Sequence, residues 1–263
     1  MPYIQSTNAT KEVANVYPWA IPGYQFAHQA SFSSSVVLFT GDNGIGKSTL
    51  LETIGLKLQE LSLLTTMPEL DEFEPARMLV ESFTLEFSSR PANVEYIRAE
   101  ELGRDIEKYN QYLSKWIKKM DLKDIKDEPH IRQLLKNEFN WLPHSTHAGI
   151  KHKYEACSQG EAYLDKLCHT LDGNGLYLLD EPESALSPLK QIMLICMICE
   201  HVKRHKSQII VATHSPILLA TPGAIVNEIE ELFIKTKKYE ETEHYQLTLG
   251  FLKNPEQYLR YFE

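Results

Sequence analysis

Short apolar runs alternate with longer amphipathic stretches along this chain. Runs of β-branched and apolar residues predict strands, because such side chains pack well in a sheet that is buried on both faces. The predicted strands are 36–40, 80–87, 93–98, 175–180, 208–213 and 229–235. Apolar residues at helical spacing predict helices at 47–64, 104–120, 129–140, 158–170 and 187–206. This alternation is typical of an α/β fold with a mainly parallel central sheet and antiparallel edge strands.

The segment GDNGIGKST, residues 41–49, directly follows the predicted strand 36–40. Its spacing fits the pattern G-x-x-x-x-G-K-[ST] without a mismatch, and a helical pattern follows it. Glycines allow such a loop to turn its successive backbone N–H groups inward, towards phosphate oxygens. An ordinary surface turn is the alternative, but the strand before and the helix after favour a phosphate-binding loop. The candidate nucleotide-binding residues of this segment are Gly41, Asn43, Gly44, Gly46, Lys47, Ser48 and Thr49.

Two side chains of the loop have chemistry suited to a triphosphate. Lys47 carries a flexible ammonium that can reach the β- and γ-phosphate oxygens, and Ser48 carries a hydroxyl that can ligate Mg²⁺. The helix that begins here directs the positive end of its dipole at the same anion. The segment therefore predicts a site for ATP and Mg²⁺.

Polar residues follow two further predicted strands. The apolar run LYLL is followed by Asp180 and Glu181, and the run IIVAT is followed by His214. Asp180 is predicted to hold Mg²⁺ together with Ser48, and Glu181 to deprotonate the attacking water. His214 is predicted to contact the γ-phosphate or to relay a proton. Acidic pairs often decorate turns and single histidines are usually structural, but here buried strands lead to all three.

Composition describes a globular protein without an apolar segment long enough to cross a bilayer. The net charge is −9, the hydrophobic fraction is 43% and the charged fraction is 24%. The longest apolar run, 192–199, is far shorter than the roughly 20 residues of a membrane-spanning helix, and the N-terminus lacks a signal-peptide core. We therefore expect a cytoplasmic protein without membrane insertion.

The region 104–157 differs from its surroundings and predicts a helical subdomain inserted in a single domain that spans 1–263. Residues 104–153 contain 11 Lys and Arg against 7 Asp and Glu, although the whole chain is acidic. This local positive charge could face nucleic acid, while a solvated helix surface of mixed charge is the simpler alternative.

Taken in order, these motifs resemble those of the ATP-binding cassette (ABC) ATPases. Residues 41–48 are similar to the family's Walker A motif, 176–181 to Walker B with its catalytic glutamate, and His214 to the switch histidine. The segment CSQGEAYLDKL is similar in position to the signature loop, and its Ser158 and Gly160 match the serine and a glycine of the usual signature sequence. The resemblance implies a P-loop fold and a head-to-tail homodimer, in which Ser158 and Gly160 contact the ATP bound by the other copy.

The segments DEPESALSP and ATHSPILLATPGA resemble the corresponding sequences of stand-alone bacterial cassette ATPases related to the SMC and RecF heads. This resemblance implies a Mg²⁺-dependent ATPase that dimerises around two ATP molecules, with a role in DNA maintenance, repair or phage defence. An energy-coupling subunit of a membrane transporter, or an ATP-sensing regulator of an effector such as a nuclease, are the alternatives.

The chain departs from the family pattern in three places. Ser187 stands where the loop after Walker B usually has aspartate, and no glutamine lies clearly in the Q-loop position, where Glu100 is the candidate. The aromatic residue that would stack on adenine is either Tyr17 or Trp19, and a core role for each is equally compatible with the sequence.

Overall fold

In the part of the chain that the structure describes, five parallel strands and one antiparallel strand form the central sheet. The structure is a computed structural model that describes residues 2–9, 16–64, 74–98, 164, 167 and 170–260. The strands are β1 Ile4–Ala9, β2 Val36–Thr40, β3 Phe83–Phe87, β4 Val94–Arg98, β5 Leu176–Asp180, β6 Gln208–Ala212, β7 Ile225–Ile229 and β8 Ile234–Lys237. The central sheet has the order β4-β5-β6-β2-β7-β8, in which only β8 is antiparallel to its neighbour, and β1 and β3 form a separate antiparallel pair.

Helices cover both faces of this sheet. The helices in the described part of the chain are α1 Pro22–Gln25, α2 Lys47–Glu60, α3 Glu74–Leu79, α4 Pro188–Arg204, α5 Pro216–Leu219, α6 Glu243–Lys253 and α7 Pro255–Leu259. The predicted fold class, a mixed α/β fold with a mainly parallel central sheet and antiparallel edge strands, is confirmed. Among the described residues, no helix combines the length and the apolar character needed to cross a membrane.

The central strands are apolar throughout because both of their faces are buried. Alternate residues of β2 point to opposite sides: Val37 and Phe39 join the core under α2, whereas Val36 and Leu38 join the core under α4. All five residues of β2, β5 and β6 are buried. This double burial explains why the sequence shows continuous apolar runs here instead of alternation.

Two predicted strands differ from the structure. The predicted strand 229–235 is wrong, because β7 ends at Ile229 and the chain makes a turn before β8 begins at Ile234. In that turn the N–H of Glu230 donates to the Phe233 carbonyl at 2.9 Å, and Leu232 is 74% exposed, so this apolar residue belongs to no core. The predicted strand 80–87 begins instead with a 3₁₀ turn, Val80–Ser82.

The parallel arrangement brings the predicted functional segments to one edge of the sheet. Asp180 lies in register with Ala212 on β6, and Ala212 lies in register with Phe39 on β2. The loop at 41, the residues at 180–181 and His214 therefore leave the sheet side by side. The predicted subdomain 104–157 lies outside the described residues and stays a prediction, as does most of the predicted helix 158–170.

Candidate functional site

The loop between β2 and α2 has a backbone that only glycine adopts easily. Gly41, Gly44 and Gly46 have φ angles of +141°, +77° and +98°. These values lie in the region that a Cβ atom disfavours, so side chains at these positions would strain the loop. The glycine spacing of the motif is thus explained by the conformation of the loop.

A tight contact with α1 supports this loop from behind. The N–H of Gly23 donates to the Ile45 carbonyl at 3.0 Å, and a Cβ atom placed on Gly23 would lie 2.4 Å from the Gly46 carbonyl oxygen. Similarly, a Cβ on Gly41 would lie 2.4 Å from the Ile229 carbonyl oxygen. The backbone of the loop therefore packs directly against backbone on two sides.

Lys47, the first residue of α2, turns its ammonium into the loop. Nζ donates to the carbonyl oxygens of Gly41 and Asp42, at 2.9 and 2.8 Å, and the residue is 3% exposed. Burial lowers the pKa of Lys47 below its usual value, while surrounding carboxylates, of which Glu181 has the largest effect, act in the opposite direction. The result is a buried cation at the mouth of the loop, in a suitable place for an anion.

The N-terminus of α2 is open to an anion. Gly46 occupies the N-cap position and, having no side chain, supplies no side-chain cap to the first turn. The unpaired N–H groups of a first helical turn and the helix dipole both favour negative charge. This end of α2 can therefore bind phosphate through its backbone.

Asp180, the last residue of β5, is held on one side of its carboxylate. Oδ2 accepts hydrogen bonds from the Tyr96 hydroxyl at 3.2 Å and from Arg98 Nε at 3.1 Å. Burial raises the pKa of the Asp180 carboxyl above its usual value, and the Arg98 guanidinium and the nearby Ser48 side chain act against this rise. Asp180 is 2% exposed, so its charge depends on these partners.

The other carboxylate oxygen fits a metal ligand. Asp180 Oδ1 is buried and makes no hydrogen bond to any of the described residues. A buried oxygen without a partner, beside the Ser48 hydroxyl, is the kind of donor set that hard cations such as Mg²⁺ take. The residues present therefore fit the metal that the sequence predicted.

Glu181 and His214 form a pair beside this carboxylate. His214 Nε2 lies 3.3 Å from Glu181 Oε1, and this hydrogen bond lowers the pKa of Glu181. Glu181 has a φ of +44°, a left-handed conformation that is unusual for a residue with a side chain. Such strained backbone positions cluster at functional sites, where they direct a side chain that the regular strand would point elsewhere.

Glu183 connects the two segments that carry this pair. One oxygen of its side chain accepts a hydrogen bond from the backbone N–H of His214. Burial raises the pKa of Glu183 above its usual value, and its hydrogen bonds oppose the rise. The sequence analysis missed this residue, because a backbone contact with a segment 31 positions away leaves no mark on the local pattern.

One cavity of about 470 Å³ brings most of the predicted residues together. Its lining includes eight of them: Asn43, Gly44, Gly46, Lys47, Ser48, Thr49, Glu181 and His214. Gly41, the first residue of the loop, lines a second cavity, and Asp180 is buried. The described members of the predicted site thus lie around one end of α2.

Of the two aromatic candidates for adenine stacking, Tyr17 lines the cavity and is 67% exposed. Trp19 instead packs against the core beside α1. Ser158, Gly160 and Glu100 lie outside the described residues, so their predicted contacts stay predictions.

Two further residues of the site were not found from the sequence. Arg98 ends β4 and contacts both Asp180 and Glu52. His244, on α6, contacts His214 and the Gly41 carbonyl. The position of Arg98 at the end of a predicted strand could have identified it as a site residue. By contrast, nothing near His244 in the sequence relates it to the loop 41–49.

Residues 154–220 match the protein family described as "AAA domain, putative AbiEii toxin, Type IV TA system". The matched segment includes Asp180, Glu181 and His214, and it confirms the resemblance to ABC-type ATPases that the motifs indicated. The match thereby supports an ATP-binding ATPase. No curated protein sequence matches the chain.

Three solved structures align with this chain at TM-scores below 0.5. "An inward-facing conformation of a putative metal-chelate type ABC transporter" has a TM-score of 0.48 at 16% identity, covering 95% of this chain and 89% of that one. CbiO1 from Clostridium perfringens, part of the ABC transporter complex CbiONQ, has a TM-score of 0.46 at 18% identity, with 97% of each chain covered. "RNase-L Inhibitor" has a TM-score of 0.40 at 20% identity, and the alignment covers 79% of this chain and 35% of that one.

Proposed function

We propose that the protein binds ATP with Mg²⁺ at the loop 41–49 and hydrolyses it. One observation carries this proposal: Lys47, Ser48 and the Glu181–His214 pair line one cavity at the N-terminus of α2, and Asp180 is buried next to Ser48. A cation, a metal-binding oxygen pair and a carboxylate beside a histidine are the groups that phosphoryl transfer to water requires.

The phosphates of ATP would bind to the backbone N–H groups of the loop and of the first turn of α2. The Lys47 ammonium already lies inside the loop and would turn towards the β- and γ-phosphate oxygens. Because burial lowers the pKa of Lys47, an incoming anion would favour its charged form and be favoured by it in return.

Asp180 Oδ1 and the Ser48 hydroxyl would hold Mg²⁺, which when bound supplies positive charge to the β- and γ-phosphate oxygens. Arg98 and Tyr96 would keep Asp180 oriented through its other oxygen. The division of labour between the two oxygens explains why one of them has two partners and the other has none in the described part of the chain.

Glu181 would accept a proton from the water that attacks the γ-phosphate. The hydrogen bond from His214 lowers the pKa of Glu181 and so keeps its carboxylate ionised and ready to accept. His214, which also lines the cavity, would orient the carboxylate and contact the γ-phosphate.

The proposal includes a head-to-tail homodimer that closes over two ATP molecules. The side chain of Glu181 is 44% exposed, so its end of the cavity would become secluded from water only if a second surface covered it. By resemblance to the cassette ATPases, the covering surface would be supplied by a second copy of the chain, through its Ser158 and Gly160. The same resemblance, with the charge excess at 104–153, supports a role related to DNA.

The test is the variant Glu181→Gln, with Glu231→Gln as a control at an exposed position. We expect Glu181→Gln to keep its affinity for Mg·ATP, to lose hydrolysis by roughly 100-fold or more, and to accumulate as an ATP-bound dimer in size-exclusion chromatography. Hydrolysis at the parental rate would show that Glu181 is not the base, and an ATP-bound monomer would argue against the dimer.

The DNA-related part is tested separately. Double-stranded DNA should bind with an affinity that falls as salt rises, and replacing Lys115, Lys118 and Lys119 by alanine should weaken binding. Binding that is insensitive to these changes would refute the DNA contact and leave the ATPase proposal untouched.

A further inference from the structure

A second histidine reaches the site from the C-terminal part of the chain. His244 is the second residue of α6, a helix in which no residue is fully buried. Its Nε2 lies 3.1 Å from the Gly41 carbonyl oxygen and 3.3 Å from His214 Nδ1. The two imidazole rings are perpendicular, with centroids 5.1 Å apart. His244 thus touches the phosphate-binding loop and the histidine of the catalytic pair at once.

The start of α6 is anchored, although the rest of the helix is exposed. Glu228, on β7 and 3% exposed, accepts a hydrogen bond from the Glu243 N–H at 2.8 Å. Thr242 is fully buried and donates its hydroxyl to the Tyr239 carbonyl at 2.6 Å. These contacts fix the position from which the His244 ring extends.

The contacts of His244 determine where the protons lie. A carbonyl oxygen only accepts, so His244 Nε2 must carry a proton to bond to Gly41. The same N–H faces His214 Nδ1, and three-centre bonds of this kind are common. His214 Nδ1 is therefore the acceptor, and the proton of a neutral His214 lies on Nε2, where it points at Glu181 Oε1.

We propose that His244 is a positioning residue that selects the Nε2–H tautomer of His214 and thereby directs its hydrogen bond to Glu181. His244 also links this pair to the loop, because the Gly41 carbonyl accepts from both His244 and Lys47. The inference rests on the proposed function for its effect on catalysis, but the tautomer itself is a property of the protein without substrate.

The tautomer is measured directly by two-bond ¹H–¹⁵N correlation spectra of the ¹⁵N-histidine-labelled protein, at about pH 8.5, above the ordinary histidine pKa. The His214 signals are assigned by comparison with His214→Gln. We expect His214 to be protonated on Nε2 in the parent and in His244→Gln, whose amide N–H₂ can replace the imidazole donor. In His244→Leu we expect a mixture of tautomers. A parental His214 protonated on Nδ1, or an unchanged tautomer in His244→Leu, would overturn the proposal.

The kinetic consequence is a change in kcat without a change in affinity. His244→Leu should lower kcat roughly 10-fold or more and leave the Kd of Mg·ATP as in the parent, since the groups that bind the phosphates remain. His244→Gln should recover most of kcat, and His28→Leu, at an exposed histidine, should have no effect. Equal losses in His244→Leu and His244→Gln would overturn the positioning role. A parent that binds no ATP and hydrolyses none would refute the proposed function alone, because the spectra decide the tautomer without it.

Discussion

The Arg98 guanidinium lies 3.1 Å from the Asp180 carboxylate, and the two residues are in register on the neighbouring parallel strands β4 and β5. Arg98 also pairs with Glu52 on α2, so it joins β4, β5 and the helix that follows the glycine-rich loop. The Arg98 side chain is 13% exposed and that of Asp180 is 2% exposed. The stability of such buried charges depends on their pairing, because removal of one charge leaves the other buried without a counter-charge.

Arg98→Met should therefore destabilise the protein by about 3 kcal/mol or more, measured as the free energy of unfolding in urea. The control is Arg204→Met, since Arg204 pairs with Glu200 on the surface and is 52% exposed. Breaking that exposed pair should cost about 1 kcal/mol or less. Similar losses in both variants would show that burial does not decide the strength of the Arg98 interactions.

Lys47→Ala should weaken ATP binding by roughly 100-fold or more, because a charge-assisted contact with phosphate is lost from a buried position. Lys57→Ala is the control on the same helix: Lys57 donates to Glu60 and to the Val80 carbonyl, at 2.9 and 3.2 Å, in the second half of α2. Titration calorimetry with Mg·ATP measures both. Unchanged affinity in Lys47→Ala would refute the assignment of the phosphate-binding loop.

Gly23→Ala should lower ATP affinity although Gly23 carries no side chain that could touch a nucleotide. Its new Cβ would lie 2.4 Å from the Gly46 carbonyl oxygen, which is rigid backbone, so the loop must shift. We expect a destabilisation of about 1 to 3 kcal/mol, together with weaker binding. In Gly250→Ala the close atom is the hydroxyl of Tyr258, an exposed side chain that can move, and affinity should stay at the parental value. Tight ATP binding by Gly23→Ala would mean that α1 does not shape the loop.

Stability should fall in mild acid because of His201. This histidine is 5% exposed and bonds to the Ser207 hydroxyl at 3.0 Å, and burial lowers its pKa from 6.5 to about 4. Below pH 6.5 the imidazole of His201 is protonated in the unfolded chain but stays neutral in the folded protein. The contribution of His201 to the free energy of unfolding is therefore complete above pH 6.5 and is lost progressively towards pH 4.

Urea unfolding at pH 7.5 and pH 5 measures this effect. His201→Gln should reduce the difference in unfolding free energy between the two conditions by about 1 to 2 kcal/mol. An identical pH dependence in parent and variant would show that His201 titrates alike in the folded and unfolded chains.

Local pattern was enough for the elements that carry the loop and the acidic pair. β2, β5 and β6 were predicted within one residue, because strands buried on both faces read as unbroken apolar runs. The turn at 230–233 was mistaken for strand, since the exposed Leu232 and Phe233 look apolar in the sequence and their exposure depends on neighbours far along the chain.

The sequence by itself determined the glycine-rich loop 41–49, the strand-end residues Asp180, Glu181 and His214, and the mainly parallel sheet, since each depends on neighbours within a few positions. Only the tertiary structure decided that Arg98 pairs with Asp180, that Tyr17 and not Trp19 lines the cavity, and that His244 reaches His214. These relations depend on strand order and on where the chain returns. Groups 30 to 203 positions apart meet through that topology, and no local periodicity encodes it.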